Sequence, residues 1–414
     1  MQDLGFLGQV VLGYSPIIDR QRTIMATRLT VFPDRRSAPS ADGLLAALLA
    51  IWPAAGAEAG AADAGAQAVV PAPKPLSLNI ASEALLDAML ALRPPSHVMI
   101  EVPAFMAADP ARLAGLQALA EAGNTLLVKG RPVTELPRDV LPLFKHSIID
   151  VGEDRRTAST PAPEGVVRTI THVQAGVRTR GDVDAAFARG AVAVLGWPLE
   201  DLPAPSSGVR QAPPDLQVVM ELIKRVDKEE PVERIEAVLT RDPSLAFRLL
   251  RYINSAAFGL SVEIGSFRHA LMLLGYKKLK RWLALLLSSA SKDPAAKPIM
   301  FAAVRRGVLM EELVRPSDDP EMGGEMFICG VFSLLDRMLQ QPFAELFESV
   351  PVPERVRQAL VDGSGPFQPY LDLVQALEQA SRSEVVEAAD AAFLGLAEVN
   401  AALLRTLAVA RELD

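Results

Sequence analysis

Residues able to do chemistry are few in this chain and fall into three groups. Two acids, Glu101 and Asp150, stand at the ends of apolar runs, where a carboxylate can hold a cation or serve as a general base, or, as is expected of Glu101, be a solvated or ion-paired strand-end acid. A basic block, Arg268, Lys277, Lys278, Lys280 and Arg281, meets no acid anywhere from Ser266 to Ser289. Such a block suits docking to an acidic protein surface or a phosphate, and it suits a solvated helical face equally well. The third group, Asn254, Ser255, Phe258, Gly259 and His269, lies in the runs NSAAFG and SFRHAL. Asn254 can satisfy open carbonyls at a helix end, with a partner-contacting loop as the alternative. His269 can fix the loop before it by hydrogen bonding, with a ligand or base role as the alternative.

Nothing between Leu249 and Leu287 supplies a nucleophile, a proton shuttle or a metal-ligand set. Of the four histidines, His97 and His146 precede strand-like runs and are expected as exposed loop residues. His172 lies within such a run and is expected to be packed or hydrogen-bonded. The single cysteine, Cys329, excludes an internal disulfide framework. A formal net charge of −8 argues against a protein that coats nucleic acid and leaves room for a local basic patch. The N-terminal residues have no basic n-region, and no apolar run reaches the roughly 18 to 20 residues of a membrane span, so a cytoplasmic location is expected.

The elements that must position these residues divide into two kinds. Up to about Pro203, eight short apolar runs alternate with helix-like segments: Val10–Ile17, Ile24–Phe32, Leu76–Ile80, His97–Val102, Thr125–Val128, Ser147–Val151, Val166–Val173 and Val192–Leu195. That alternation predicts a parallel α/β sheet or a (β/α)8-type barrel, reduced in size, with several connecting helices short or missing. Helices are expected at Ala41–Trp52, Ser82–Leu92 and Ala108–Ala122, and residues 53–75, rich in Ala, Gly and Pro, as a flexible insertion. A second Pro- and Ser-rich stretch, 204–214, is expected as the linker between domains 1–203 and 215–414. Beyond it, helical periodicity predicts an all-α bundle; hydrophobic residues make up 50% of the chain and aromatics only 5%, which favours helices packed through small side chains.

Two resemblances follow from these motifs. The run from Leu249 to Leu287, with Ile235-Glu-Ala-Val-Leu-Thr-Arg-Asp-Pro-Ser-Leu-Ala246 before it and Phe327-Ile-Cys-Gly-Val-Phe-Ser-Leu-Leu-Asp336 after it, resembles the HDOD module, a metal-free relative of HD phosphohydrolases. Ser333-Leu334 stand where those enzymes carry a His-Asp dyad, and the upstream metal histidine should lie near Val304-Arg-Arg306. Gly13-Tyr-Ser-Pro-Ile-Ile-Asp-Arg20, Met99-Ile-Glu-Val-Pro103, Gly176-Val-Arg-Thr179 and Gly196-Trp-Pro198 resemble EAL domains, barrel enzymes that hydrolyse cyclic di-GMP with two divalent cations. The chain departs from that pattern at the chemistry. Arg28 replaces the name-giving Glu, Val128-Lys129 the paired Asp residues, Ile148 a Lys and Ala175 a Glu, while Ser15 and Leu195 replace two glutamines that contact the nucleotide. Glu101 and Asp150 remain as residual acids.

The resemblance therefore implies a degenerate EAL-like barrel joined to an HDOD bundle: a non-catalytic bacterial signalling protein that works by protein–protein association, in pathways tied to cyclic di-GMP or motility. No cofactor or metal is expected. Partners are expected among signalling proteins rather than DNA, membranes or cyclic di-GMP itself, with homo-oligomers open. Cyclic di-GMP sensing without hydrolysis, and residual metal-dependent phosphodiesterase activity, are the alternatives.

Overall fold

The computed structural model describes residues 6–33, 39–51, 75–132, 136–154, 170–201, 214–239, 294–317 and 319–411, with ten residues between 268 and 284. Of the expected insertion at 53–75 and linker at 204–214, all but Pro75 and Pro214 lie outside the described residues. Two compact units emerge. One comprises residues 1–200, 376–390 and 394–401, and the other 201–375, 391–393 and 402–414.

The first unit is built on a closed barrel of eight strands in sequence order: β1 (Val10–Asp19), β2 (Ile24–Pro33), β3 (Leu76–Ile80), β4 (Val98–Pro103), β5 (Leu126–Lys129), β6 (Phe144–Asp150), β7 (Thr171–Ala175) and β8 (Ala193–Leu195). Seven strands run parallel, whereas β1 is antiparallel to both of its neighbours, β2 and β8. Residues 20–23 are too few for a crossover, so β1 and β2 close a hairpin while the other strands stay parallel.

Helices α1 (Ala41–Ile51), α2 (Glu83–Leu92), α3 (Ala104–Ala107), α4 (Leu113–Glu121) and α5 (Arg180–Ala188) supply the crossovers. Ser82 caps α2 by accepting from the Leu85 amide, and Thr179 with Asp182 forms a reciprocal capping box on α5. Between β5 and β6 the described residues hold only a 3-10 turn, Leu141–Leu143, in line with a reduced barrel. Alternation along each strand turns Ile17, Ala26, Met99, Leu127, Ile148 and Val173 inward, where they form an apolar layer.

Residues 376–401 were expected to belong wholly to the helical domain, yet 376–390 and 394–401 group with the barrel. The physical link is Asn400, which is fully buried. Its Nδ2 donates to the carbonyls of Leu7 and Val10, each at 2.7 Å, and its Oδ1 accepts from the Leu12 amide at 3.1 Å. One amide thus satisfies three backbone groups at the start of β1. Gly13 completes the contact: a Cβ there would stand 2.8 Å from the Ala380 Cα.

The second unit is helical: α6 (Pro214–Asp227), α7 (Val232–Leu239), α8 (Lys297–Val314), α9 (Pro320–Phe332), α10 (Leu335–Leu339), α11 (Phe343–Ser349), α12 (Glu354–Val361) and most of α13 (Gln368–Gln379). Helices α14 (Arg382–Ala391) and α15 (Leu396–Arg411) follow. Helices α8 and α9 cross where Gly307 faces α9 and Gly330 faces α8. A Cβ on Gly330 would lie 2.5 Å from the Arg306 carbonyl, so backbone meets backbone there. Among the described residues no single helix is long and apolar enough to cross a membrane.

Substituting Asn400→Ala leaves two carbonyls and one amide near the start of β1 without their partner. The expected cost is roughly 1–3 kcal/mol of stability or more, measured as a shift in the denaturant midpoint. A midpoint within error of the parent would show that the C-terminal segment does not brace the barrel.

Candidate functional site

The mouth of the barrel at the carboxyl ends of its parallel strands is where such folds assemble ligand sites. Here the strands place Arg28 and Thr30 (β2), Ser77 and Asn79 (β3), Glu101 (β4) and Lys129 (β5). Arg28, Glu101 and Lys129 each follow an inward apolar residue, Ala26, Met99 or Leu127, by two positions, so the period of two sets all three above the apolar layer.

Glu101 is completely buried. Its Oε1 accepts from Arg28 Nε at 2.8 Å and from Ser77 Oγ at 2.9 Å, and its Oε2 accepts from Arg28 Nη2 at 2.5 Å. This is a bidentate guanidinium–carboxylate pair, the geometry that best offsets the desolvation of both charges. Beside it, Lys129 Nζ donates to Asn79 Oδ1 at 2.5 Å, and Asn79 Nδ2 donates to Thr30 Oγ1 at 3.2 Å. Burial pushes the Lys129 ammonium below the ordinary lysine value, the Glu101 charge pulls it back up, and the Arg28 charge adds a further downward push.

Asp150 is exposed at the end of β6, and its Oδ1 accepts from the Gly152 amide at 2.9 Å, closing a turn. Gly176, at φ +77°, lies against it, and a Cβ there would fall 2.4 Å from Asp150 Oδ2. The two residual acids therefore have separate partners. Ile148, Ala175 and Leu195 lie in the apolar layer, where they offer neither charge nor hydrogen bond.

Two-metal hydrolysis of a phosphodiester needs carboxylates with open lone pairs clustered around the cations. Among the described residues the mouth offers the buried Glu101 carboxylate, with both oxygens engaged by a guanidinium and an ammonium nearby, an arrangement that does not fit a divalent cation. Among the described residues no group of three or more His, Cys, Asp or Glu side chains could hold a metal ion. The sequence marked Arg28 only as a departure; that it is the partner of Glu101, and that Ser77, Asn79 and Thr30 complete the network, was missed. The available signal was polar residues inside otherwise apolar strands, TRLT and LSLN.

His146 is not the exposed loop residue expected. It belongs to β6, is partly buried, and its Nδ1 lies 2.6 Å from Thr171 Oγ1. His172 is buried on β7, with Ser147 Oγ at 3.4 Å from Nδ1 and Gln174 Oε1 at 3.3 Å from Nε2, a packed and hydrogen-bonded histidine.

In the helical unit, Arg268 pairs with Glu233 at 3.0 Å and Glu236 at 3.4 Å, and Lys280 pairs with Asp227. Tyr276 donates to the Glu230 carbonyl at 2.9 Å. Two cations of the basic block are thus held by acids of α6 and α7. His269 is half-buried. Lys277, Lys278, Arg281, Asn254, Ser255, Phe258 and Gly259 lie outside the described residues. At the positions compared with the HD metal site, buried Arg306 donates from Nη1 to Ser333 Oγ at 3.1 Å, and Ser333 donates on to the Gly330 carbonyl at 2.7 Å. A guanidinium and a hydroxyl cannot replace imidazole and carboxylate at a metal. Burial pushes the nearby Asp336 carboxyl up, against the pull of Arg337 and Arg306, and pushes the Cys329 thiol up to about 12, which leaves it unreactive.

Residues 212–341 match the family described as HDOD domain, so the chain carries an HDOD domain over a narrower span than the 215–414 expected. Two curated relatives match. "Uncharacterized protein YuxH" of Bacillus subtilis is 33% identical over 165 residues, 38% of this chain and 39% of that protein. "Cyclic di-GMP phosphodiesterase CdgJ" of Vibrio cholerae is 29% identical over 172 residues, 41% of this chain and 40% of that protein. The matched segment spans about two fifths of each relative's length. Similar solved structures include a putative phosphohydrolase from Shewanella amazonensis, with 17% identity and a TM-score of 0.36 over 50% of this chain and 95% of that one. The PaMucR phosphodiesterase–c-di-GMP complex shows 15% identity and a TM-score of 0.31 over 47% and 96% of the two chains.

Burial, with a smaller contribution from Lys145, holds the His146 imidazole below the ordinary histidine value. A lowered folded-state value means that the stability it contributes is complete above the unfolded pKa of about 6.5 and is lost as pH falls through the folded value. Equilibrium unfolding followed downward from neutral pH should show this loss in the parent and a flatter profile in His146→Gln. Parallel profiles would remove His146 as the source.

Proposed function

We propose that this chain is a non-catalytic bacterial signalling protein that acts by associating with partner proteins, in a pathway linked to cyclic di-GMP or motility. The observation that carries the reading is the Arg28–Glu101 pair. It puts fixed positive charge where a cation-dependent phosphodiesterase needs its metals, and it engages both oxygens of Glu101, the buried acid that the described residues place at the mouth. The HDOD domain supports the association part, because its Arg306–Ser333 contact offers packing and hydrogen bonds rather than ligands. The name of the Vibrio cholerae relative supports the pathway part. A barrel without turnover can persist as a binding scaffold, since fold does not fix function.

The deciding experiment is an assay of the full chain with cyclic di-GMP and either Mg2+ or Mn2+, with calorimetry alongside. The expected result is no cleavage product and no heat of nucleotide binding. Cleavage above the protein-free blank would overturn the reading, and binding without cleavage would replace it with nucleotide sensing.

The ion pair itself makes a second expectation. Arg28→Ala strands a buried carboxylate and should cost about 3–5 kcal/mol, whereas Arg28→Met with Glu101→Leu should restore most of it. Denaturant titration of the three proteins distinguishes a structural pair from a dispensable one: an Arg28→Ala cost under about 1 kcal/mol, the worth of an exposed pair, would refute it.

A further inference from the structure

At the carboxyl ends of β3, β4 and β5 the barrel opens into a cavity of about 640 Å3, the size of a small-ligand site, and the chemistry above assigns it nothing. Ile80, Pro103, Phe105 and Pro132 give it an apolar lining. Phe105 is 59% exposed, which leaves a ring face for a ligand to cover. Among the described residues that line the cavity, Lys129 alone carries an amine.

A lysine drawn out of water ordinarily takes a carboxylate as its partner. Lys129 donates instead to the neutral Asn79 amide, at 2.5 Å, because both oxygens of Glu101 are held by Arg28. Its surroundings favour the neutral amine. Burial is the largest influence, the Glu101 charge opposes it, and the Arg28 charge adds to it. Of the other neighbours, β3 presents the uncharged Ser77 and Asn79 and β6 the apolar Ile148, while Glu83, Arg131 and Glu153 line the cavity. A neutral amine keeps its bond to Asn79 through one hydrogen and still holds a lone pair. Desolvation beside a second cation is one of the ways in which a lysine becomes a nucleophile toward carbonyl carbon.

We infer that Lys129 captures a small aldehyde in this cavity as a reversible imine, with the apolar body of the aldehyde lying against Phe105. The Nζ lone pair forms a bond to the carbonyl carbon, the carbon–oxygen bonds break, and the oxygen leaves as water with the two hydrogens of the amine. Nothing is oxidised or reduced, and hydrolysis reverses the step. The inference goes beyond the association reading, since it gives the barrel a ligand without turnover.

The test incubates the full chain with benzaldehyde and cyanoborohydride, which reduces an imine to a stable amine, and locates the added mass by peptide mapping. Lys129 should be labelled faster than every other lysine by about 10-fold, a barrier difference of about 1.4 kcal/mol, and its rate should saturate with aldehyde. As pH falls, labelling of Lys129 should persist below the pH at which exposed lysines stop reacting, because its ammonium gives up the proton more readily. Lys129→Arg keeps a cation at the position and removes the amine, so the saturable label should disappear from the intact mass. Phe105→Ala, a change at an exposed ring, should raise the half-saturating concentration about 5-fold, the worth of one aromatic contact. Lys129 labelled no faster than the exposed lysines, or at a rate strictly proportional to aldehyde, would overturn the site, and the parent protein alone decides both. An unchanged half-saturating concentration in Phe105→Ala would overturn the seat against the ring.

Discussion

A carboxylate in the mouth of a closed barrel must have a positive partner, because an unpaired charge taken out of water costs several kcal/mol. Glu101 has no exposed surface at all, and the partner it finds is the guanidinium of Arg28, both oxygens engaged. The rest of the mouth is arranged around that pair. Ser77 supplies a third hydrogen bond to the carboxylate, and Lys129 turns to Asn79, which passes the connection to Thr30. A polar network satisfied in this way is rigid, and it holds the Glu101 carboxylate with three hydrogen bonds.

The same economy of partners runs through both units. Asn400 satisfies three backbone groups near the start of β1 with one side chain, and Gly13 lets the Ala380 backbone approach the strand. In the helical unit Gly330 lets two helix backbones touch, while Arg306 and Ser333 form a hydrogen-bonded contact beside it.

Electrostatics divides the molecule by local pairing rather than by net charge. Arg268 and Lys280 read as free cations in the sequence because no acid lies near them along the chain, yet α6 and α7 bring Asp227, Glu233 and Glu236 to them through space. The acids of α8 and α9 gather the other way, onto the walls of one cleft. Charge that is scattered in sequence is concentrated by helix packing, and only the folded chain shows which charges cancel.

The sequence by itself determined the number and order of the strands, since short apolar runs bounded by turn residues admit no longer element. It also determined the switch to helices after Pro214 and, by residue type alone, that Ser333 is no metal-binding imidazole. The hairpin of β1 and β2 was legible too, in the shortness of the 20–23 turn. Tertiary structure decided what a one-dimensional reading cannot reach: that Arg28 answers Glu101 across three strands, that His146 is inside a strand, and that residues near Asn400 fold with the barrel. The physical reason is that hydrogen bonds and ion pairs depend on distances of about 3 Å, and those distances are set by barrel closure and helix crossing rather than by spacing along the chain.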